Sequence, residues 1–439
     1  MNEEYFARMK DMLKEEYDAY LQILEEEPQK GFRVNPLKCT DEQFFVCMDL
    51  PHEKSPYAQH GYYTEARPGI GYTPQYLSGL FYMQEPSASA AVTVLDPKPG
   101  MFVADLCAAP GSKSTQILEM LKNQGMLVSN EINTKRCQIL SENIEHNGAA
   151  NAVVLNSDTK DVADAFEGFF DEVLCDAPCS GEGMFRKSDD AVNDWSIANV
   201  QKCAALQREI LQNAYRCLRA GGTMVYSTCT FSMEENEQNM VWFVEQYPDM
   251  EIVDANVSFG RPAFDLGHGT AKAVRIFPMD RGEGHFICKL HKKGESVRSE
   301  HHCMKETQIP KSVLQTLHEI LAEPYPYYYM KNNRIYGGLV PFYDCGKCHI
   351  LRHQVYLGEV VKNDRFEPDH HMAMSTGSHF RISVDLDDAL LEKYMHGEQL
   401  ALKQPKGYCV LTWHGFAIGL GKSDGTVIKN KYPKGLRTR

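Results

Sequence analysis

The 439-residue chain has no apolar run long enough to cross a membrane, and its first residues lack the basic and apolar segments of a secretory signal. These two absences predict a cytoplasmic protein without a membrane partner. Its composition, 43% hydrophobic and 24% charged, is ordinary for a globular protein. A chain of this length is expected to fold into about two to four domains.

A second pair of cysteines that could complete a zinc site is also missing. Cys345 and Cys348 form the one Cys-x-x-Cys motif, with His301, His302 and Cys303 upstream, and no matching pair stands at suitable spacing. The fourteen cysteines are otherwise scattered through apolar runs. In a reducing compartment they predict buried thiols, with neither disulfides nor a bound metal.

Positive charge is scarce overall but concentrated at one end. The formal net charge of −13 argues mildly against nucleic acid, because phosphate contacts need Lys and Arg. Residues 401–439, however, carry eight Lys or Arg and a single acid, Asp424, which leaves a formal charge of +7. Short apolar stretches and turns around Trp413 predict a β-rich module there. We expect it to bind RNA, the alternative being a small β-domain with a solvated basic face.

Segments typical of strands and helices alternate between residues 96 and 292, which predicts an α/β domain with a largely parallel, doubly wound sheet. The expected strands cover 101–106, 126–130, 152–156, 172–175, 223–227 and 284–290, and two of the expected helices cover 197–218 and 233–246. An amphipathic helix over 4–26 begins an N-terminal α+β unit, residues 1–95. After a linker, two β-rich modules are predicted over 311–375 and 376–439.

The candidate catalytic residues lie where two neighbouring strands end. Asp176, Pro178 and Cys179 follow a buried apolar strand, at the edge where open α/β sheets bind ligands. Cys229 ends the next strand, so both thiols are expected over one pocket. A thiol is a strong nucleophile once its thiolate is favoured, which makes the pair a candidate for covalent catalysis. Either cysteine alone could instead be a buried structural thiol.

A candidate cofactor loop, residues 105–113, connects the first strand of the α/β domain to its helix. It lacks the G-x-G-x-x-G and Walker A patterns, which disfavours NAD and ATP, while its small residues let a ligand approach the helix N-terminus. One strand later, Glu131 is placed for ribose hydroxyls, and Asp158 after the third strand for an adenine amino group. Each acid could instead cap a helix. Together with the loop they favour a nucleoside cofactor.

Three motifs, 105–113, 176–183 and 227–230, stand in an order and spacing that resemble the Nol/Nop/Sun family of RNA (cytosine-5) methyltransferases. Its bacterial RsmF-type branch, which modifies small-subunit (16S) rRNA, is similar also at 31–35, 82–87, 365–370 and 429–435. The resemblance extends over the whole chain. It implies a Rossmann-like methyltransferase domain, 96–292, followed by an α+β RNA-binding module, 311–375, and a PUA-like domain, 376–439.

The resemblance also implies the cofactor and the roles of individual residues. S-adenosylmethionine (SAM) would be held by Cys107, Ala108, Ala109, Pro110, Gly111, Ser112, Lys113, Glu131, Asp158 and Asp176. The family nucleophile corresponds to Cys229, and Cys179 would help the product leave. Cytosine C5 is a weak nucleophile until a thiolate adds at C6, and the charge that then develops at N3 needs a protonated Asp176 or a cation such as Lys113.

The predicted activity is therefore SAM-dependent formation of 5-methylcytosine in 16S rRNA, by an enzyme expected to be monomeric. Two alternatives remain: the same reaction on tRNA, and a non-catalytic RNA-binding factor for ribosome assembly. Arg186 and Lys187, just beyond the thiol loop, are predicted either to contact phosphates or to form a solvated surface.

Overall fold

The computed structural model describes residues 3–65, 67–295, 298–305 and 307–437. The chain begins with two helices, α1 (Glu3–Leu13) and α2 (Tyr17–Leu24). Between them Lys14 has φ +51°, a left-handed conformation that a continuous α-helix does not contain. The single helix predicted over 4–26 is therefore wrong. The two helices pack on each other and on the α/β domain, and the hydroxyls of Tyr5 and Tyr20 lie 2.6 Å apart.

The rest of the N-terminal unit is a small antiparallel sheet with three helices. Its strands run in the order β2-β3-β1-β4, with bounds β1 (Gly31–Val34), β2 (Glu53–Lys54), β3 (Gly61–Tyr63) and β4 (Phe81–Met83). The helices are α3 (Asp41–Cys47), α4 (Pro74–Leu77) and α5 (Ala90–Leu95). Thr40 is the N-cap of helix α3. Its side chain accepts a hydrogen bond from the backbone N of Gln43 in a capping box.

The α/β domain is built on a parallel core of five strands in the order β9-β8-β5-β6-β7. The bounds are β5 (Phe102–Asp105), β6 (Met126–Asn130), β7 (Ala152–Leu155), β8 (Phe170–Asp176) and β9 (Leu218–Thr228). These strands are apolar along nearly their whole length because helices cover both faces. Those helices include α6 (Ser112–Leu121), α7 (Thr134–Asn147), α8 (Thr159–Ala165), α9 (Asp189–Asp194), α10 (Ile197–Cys217) and α11 (Glu237–Gln246).

Antiparallel strands extend one edge of this core beyond β9. They are β10 (Met250–Val253), β11 (Arg261–Pro262), β12 (Val274–Ile276) and β13 (His285–Lys292), and β13 pairs directly with β9. The doubly wound α/β prediction is confirmed, but the sheet is mixed instead of largely parallel. The strand predicted over 223–227 begins earlier, at Leu218, because Gly221, with φ +72°, accommodates a bulge in β9. The helix predicted over 233–246 begins later, at Glu237.

Side chains alternate between the two faces of the sheet, and this alternation decides what faces the site. Leu174 of β8, Val225 of β9 and Ile287 of β13 lie in one apolar layer, together with α5 and α6. Val173 and Phe286 lie in the opposite layer, with α10. Chain order reverses between β5 and β8, and the loops after these strands emerge at this switch point, where open α/β sheets bind ligands.

The remaining described chain forms two four-stranded sheets, one two-stranded sheet and one strand of the central sheet. Its helices are α12 (Lys311–Ile320), α13 (His370–Met374) and α14 (Asp388–Met395). Its strands are β14 (Leu321–Glu323), β15 (Tyr327–Lys331), β16 (Arg334–Gly338), β17 (Ile350–His353), β18 (Val355–Val361), β19 (Arg365–Pro368), β20 (His379–Phe380), β21 (Ser383–Leu386), β22 (Gly407–Trp413), β23 (Phe416–Ser423) and β24 (Ile428–Asn430).

These strands divide into β15-β16-β18-β19 and β21-β22-β23-β24, and β14 pairs with β20. Strand β17 instead pairs antiparallel with β7, and among the described residues it completes a central sheet of ten strands. The segment 311–375 is thus attached to the α/β domain through a shared sheet. In the described part of the chain, no helix has both the length and the apolar character needed to cross a bilayer.

Candidate active site

The Asp176 carboxylate stands at the carboxyl end of β8 and is held from two sides. Asp176 lies opposite Ser227 of β9, whose Oγ donates to Asp176 Oδ1 at 2.6 Å. Lys113, in the first turn of α6, places its Nζ 2.7 Å from Asp176 Oδ2. Burial disfavours the charge on Lys113, but the attraction of Asp176 outweighs it and raises the pKa of Lys113. A cation therefore stands beside the predicted catalytic carboxylate.

The two candidate thiols are in direct contact. Cys179 follows β8, Cys229 follows β9, and their Sγ atoms lie 3.3 Å apart. The hydrogen bond from the Cys179 thiol lowers the pKa of Cys229 below its ordinary value, although burial works in the opposite direction. The same bond and burial raise the pKa of Cys179. A thiolate at one of the two sulfurs can therefore be stabilised by a hydrogen bond from the other thiol.

Two buried carboxylates that the sequence reasoning missed hold the thiol loop in place. Glu235 accepts hydrogen bonds from the backbone N of Ser180 at 3.0 Å, from its Oγ at 2.5 Å and from Gln207 Nε2 at 2.7 Å. Burial raises the pKa of Glu235 to about 7, against the effect of these hydrogen bonds. Glu182 accepts from Trp195 Nε1 at 2.8 Å and from the backbone N of Phe231 at 2.7 Å.

A signal for these acids was present, since Glu182 lies inside the thiol loop and Glu235 lies six residues after Cys229. A glutamate at either position could equally have been solvated. Gly183 shows how closely the two loops pack. Its backbone N donates to Cys229 O at 2.8 Å, and a Cβ there would stand 2.8 Å from Gly284 O. Any larger residue would push the two thiol loops apart.

A cavity of about 350 Å³ opens beside the thiols, with Asp176 and Cys229 in its wall. Glu131 and Asp158 line it, together with Asn130, Ile132 and helix α10. Glu131 Oε1 accepts from the Asn133 backbone N, and Asp158 caps α8 by accepting from Lys160 N, both at 2.8 Å. Both acids thus stabilise local backbone and also face the cavity. A buried Glu131 and an exposed Asp158 on one cavity suit the hydroxyl and amino groups of a nucleoside, so the residues present fit SAM.

The loop 107–113 divides into lining residues and supporting residues. Cys107 and Ala109 line the cavity. The other four shape the loop and the start of α6: Ala108 N donates to Asn130 O, Pro110 O accepts from Asn143, Gly111 has φ +112°, and Ser112 O accepts from Arg33. Lys113 faces Asp176, as described above. Asp105, at the base of the loop, is buried, and its Oδ1 has no hydrogen-bond partner in the described structure.

Arg186 and Lys187 have different surroundings. The Arg186 side chain is buried, with Nη1 3.2 Å from Glu283 Oε1, and its Nη2 donates to the carbonyls of Glu26 and Glu27. Arg186 therefore ties the N-terminal unit to the thiol loop, so both alternatives predicted for it, phosphate contact and solvated surface, are wrong. Lys187, the next residue, is exposed.

The remaining sequence candidates lie away from this site. Cys345 and Cys348 pack into the apolar layer that contains α10. Within the described ranges, no cluster of three or more His, Cys, Asp or Glu side chains could hold a metal ion. In the C-terminal sheet, the Lys422 Nζ lies 4.5 Å from the Tyr408 ring centroid. The neighbouring lysines 403, 406, 429, 431 and 434 are exposed, whereas Arg439 lies outside the described residues.

Family models match three parts of the chain. The model of the 16S rRNA methyltransferase RsmB/F matches residues 92–291, the N-terminal domain of 16S rRNA methyltransferase RsmF matches 1–86, and the methyltransferase RsmF PUA domain matches 381–438. The ribosomal RNA small subunit methyltransferase F of Enterobacter sp. (strain 638) is 31% identical over 99% of this chain and 95% of its own length. The protein of the same name from Vibrio vulnificus (strain YJ016) is 32% identical over 95% and 93%.

Solved structures show the same fold. A methyltransferase homolog from Pyrococcus horikoshii is 28% identical, with a TM-score of 0.59 over 66% of this chain and 95% of its own. NSun6 from P. horikoshii with SFG, 23% identical and with a TM-score of 0.59, covers 67% and 99%. The Rossmann-like fold, the cofactor cavity and the full-length similarity lead to one conclusion: the chain belongs to the RsmF family of SAM-dependent 16S rRNA methyltransferases.

Proposed function

We propose that this chain forms 5-methylcytosine in 16S rRNA through a covalent bond between Cys229 and C6 of the target cytosine. The observation that carries the proposal is the 3.3 Å contact between Cys179 and Cys229. Cys229 lines the cavity together with Asp176, the partner of Lys113. A structural thiol has no need of a second thiol that stabilises its charged form. The C-terminal sheet carries exposed lysines and a tyrosine ring in contact with Lys422, and this combination of positive charge and aromatic surface supports an RNA substrate.

Each residue has a role in this scheme. The Cys229 thiolate adds to C6, which turns the ring into an enamine. The negative charge that develops at N3 would be met by the Lys113 cation, or by Asp176 once it carries a proton. SAM, when bound, supplies an electrophilic methyl group for C5. Loss of the C5 proton to a base then restores the ring double bond and expels Cys229 as a thiolate. Cys179, in contact with the attacking sulfur, is the residue that assists this release.

The cofactor would be held by the cavity residues, with Glu131 and Asp158 on the nucleoside and Asp176 toward the reacting centre. A target base must leave its stack to reach thiols this deep. Lys187 and the basic face of the C-terminal sheet would then bind the phosphates of the RNA backbone. The 311–375 module is assigned to RNA binding as well, and we expect a monomeric, cytoplasmic enzyme.

The test is to incubate the purified protein and radiolabelled SAM with undermethylated small ribosomal subunits, with naked 16S rRNA and with tRNA. Label recovered as 5-methylcytosine in the subunit or its rRNA is the expected result. Label in tRNA alone would keep the chemistry and overturn the substrate. No label, from folded protein that binds SAM, would favour the non-catalytic assembly factor.

A further inference from the structure

His285 lies beside the candidate nucleophile on the neighbouring strand. Phe286 of β13 pairs with Thr228 of β9, so the next residues outward, His285 and Cys229, stand at the same level. His285 lies two residues from Ile287, which belongs to the layer containing α5 and α6. Strand alternation therefore directs its side chain to the face that also carries Asp176 and Ser227. The proposed reaction uses neither nitrogen of this imidazole.

The surroundings of the ring fix its hydrogen-bonding state. His285 is 8% exposed, and burial, together with the nearby Lys113 and Lys187 charges, lowers its pKa to about 3 against the opposing effect of Asp176. The imidazole is therefore neutral. Its Nδ1 lies 2.5 Å from Gly284 O. A carbonyl oxygen can only accept, so Nδ1 carries the proton and Nε2 presents a lone pair.

That lone pair has no hydrogen-bond partner among the described residues, although the atom is fully buried. Glu85 Oε2 lies 3.9 Å away, too far for a hydrogen bond, and the Glu85 carboxylate already accepts from the backbone N of Ser87 and of Ala88. An acceptor of this kind is costly to bury unless a donor reaches it. A donor on a molecule that enters the site next to Cys229 would satisfy this lone pair.

We infer that His285 Nε2 accepts a hydrogen bond from the exocyclic amino group of the target cytosine and thereby selects cytosine over uracil. The inference rests on the proposed function. When Cys229 attacks C6, the amino group on C4 lies across C5 on the same ring, within reach of a neighbouring strand. Uracil presents a carbonyl oxygen at C4, so two lone pairs would face each other. A buried group left unpaired in this way discriminates strongly between two ligands of equal shape.

The test uses the cytosine that the wild-type enzyme is found to methylate, in a transcript of the surrounding 16S rRNA, and a second transcript with uridine there. Dissociation constants are measured in a Cys229→Ala background, where no covalent bond forms. With His285 present, the cytosine transcript should bind at least about tenfold more tightly than the uridine transcript. In His285→Phe this ratio should fall to about one, because the ring remains but the acceptor is gone. In His285→Gln, whose amide oxygen can accept, affinity for cytosine should be largely restored.

The control variant is His353→Phe, which makes the same change at a buried histidine at the far edge of the sheet. It should leave the ratio unchanged. If His285→Phe does not fold, a transcript with pyrimidin-2-one at the target, which lacks only the amino group, tests the same contact against unaltered His285. An unchanged ratio in His285→Phe, or equal binding of cytosine and pyrimidin-2-one, would overturn the inference alone. Absence of 5-methylcytosine with the wild-type enzyme would overturn the proposed function, and the inference with it.

Discussion

The chain contains two close pairs of cysteines whose surroundings are opposite. Cys179 and Cys229 are fifty residues apart in sequence, yet their sulfurs are in contact, and Cys229 lines a cavity that also contains Glu131 and Asp176. Cys345 and Cys348 form the recognisable Cys-x-x-Cys motif, yet both are packed in an apolar layer, where burial raises the pKa of Cys348 to about 11 and that of Cys345 further. Sequence spacing therefore says little about what a thiol does, whereas neighbouring charges and donors decide whether it becomes a thiolate.

The largest difference between the pairs should appear when one thiol of each is removed. Cys229→Ala should lower methyl transfer roughly a thousandfold or more, because the step that activates C5 is lost. Cys345→Ala should leave transfer within about twofold and cost about 1 kcal/mol of unfolding free energy. Initial rates with radiolabelled SAM and urea titrations measure both. Equal losses of transfer in the two variants would show that the comparison is wrong.

Within the pair that we propose to be catalytic, Cys179 and Cys229, the two thiols should differ from each other. Cys179→Ala should accumulate a covalent protein–RNA complex, because the adduct forms but is released slowly. The complex is measured as a shifted, SAM-dependent band on a denaturing gel. It should vanish in the double variant with Cys229→Ala. A complex that forms in Cys229→Ala and not in Cys179→Ala would reverse the roles of the two cysteines.

A smaller effect should follow from removal of the cation beside the pair. Lys113 lowers the pKa of Cys229 and balances Asp176, which raises it. Lys113→Met removes the positive charge that lowers the pKa of Cys229 and leaves the negative charge of Asp176 unbalanced, so the pKa of Cys229 should rise. The pH profile of Cys229 alkylation by iodoacetamide, followed by mass spectrometry, should move to higher pH. Lys98→Met, which breaks an exposed ion pair with Asp96, is the matched control and should not move it.

The smallest effect concerns the stability of the loop that holds Cys179. In the folded chain the pKa of Glu235 is raised to about 7, above its value near 4.5 in the unfolded chain. The stabilisation that Glu235 contributes to the fold is therefore fully present below pH 4.5 and is lost as the pH rises through 7. Relative to Glu235→Gln, the wild type should therefore lose about 3 kcal/mol at most between pH 5 and 8.

The adjacent Glu234 provides the control, because it pairs with Arg8 at 2.6 Å and its pKa is lowered despite partial burial. Its contribution is lost as pH falls, in the opposite direction. Urea unfolding of Glu235→Gln, Glu234→Gln and the wild type between pH 3 and 8 measures both trends, because the Glu234 contribution is lost only below its unfolded pKa near 4.5. A Glu235→Gln difference that does not change with pH would mean that this carboxylate is not held protonated by burial.

Much of the site could be predicted because local patterns encode it. The apolar run before Asp176 ends in a loop that starts with Pro178, and the small residues of 107–113 join a strand to a helix. Both signals depend only on neighbours in the chain, and the parallel sheet then brings the loop ends to one edge. Glu131 and Asp158 follow their strands in the same way, and both line the cavity.

The predictions that failed depended on contacts distant in sequence. Arg186 looked like a surface cation but is buried against Glu283 and the end of the N-terminal helices. Nothing local distinguishes it from the exposed Lys187. Similarly, β17 pairs with β7 across about two hundred residues of chain. The break at Lys14 is the exception, because it is a local change in one backbone angle.

The sequence by itself determined the fold class, the order of the loops and the side chains available at the sheet edge, because hydrophobic period and turn residues act over short distances. Only the tertiary structure decided that Cys179 contacts Cys229, that Lys113 pairs with Asp176, and that His285 presents an unpaired lone pair beside them. These contacts depend on strand order, register and burial, which together fix distances and desolvation that no local pattern encodes.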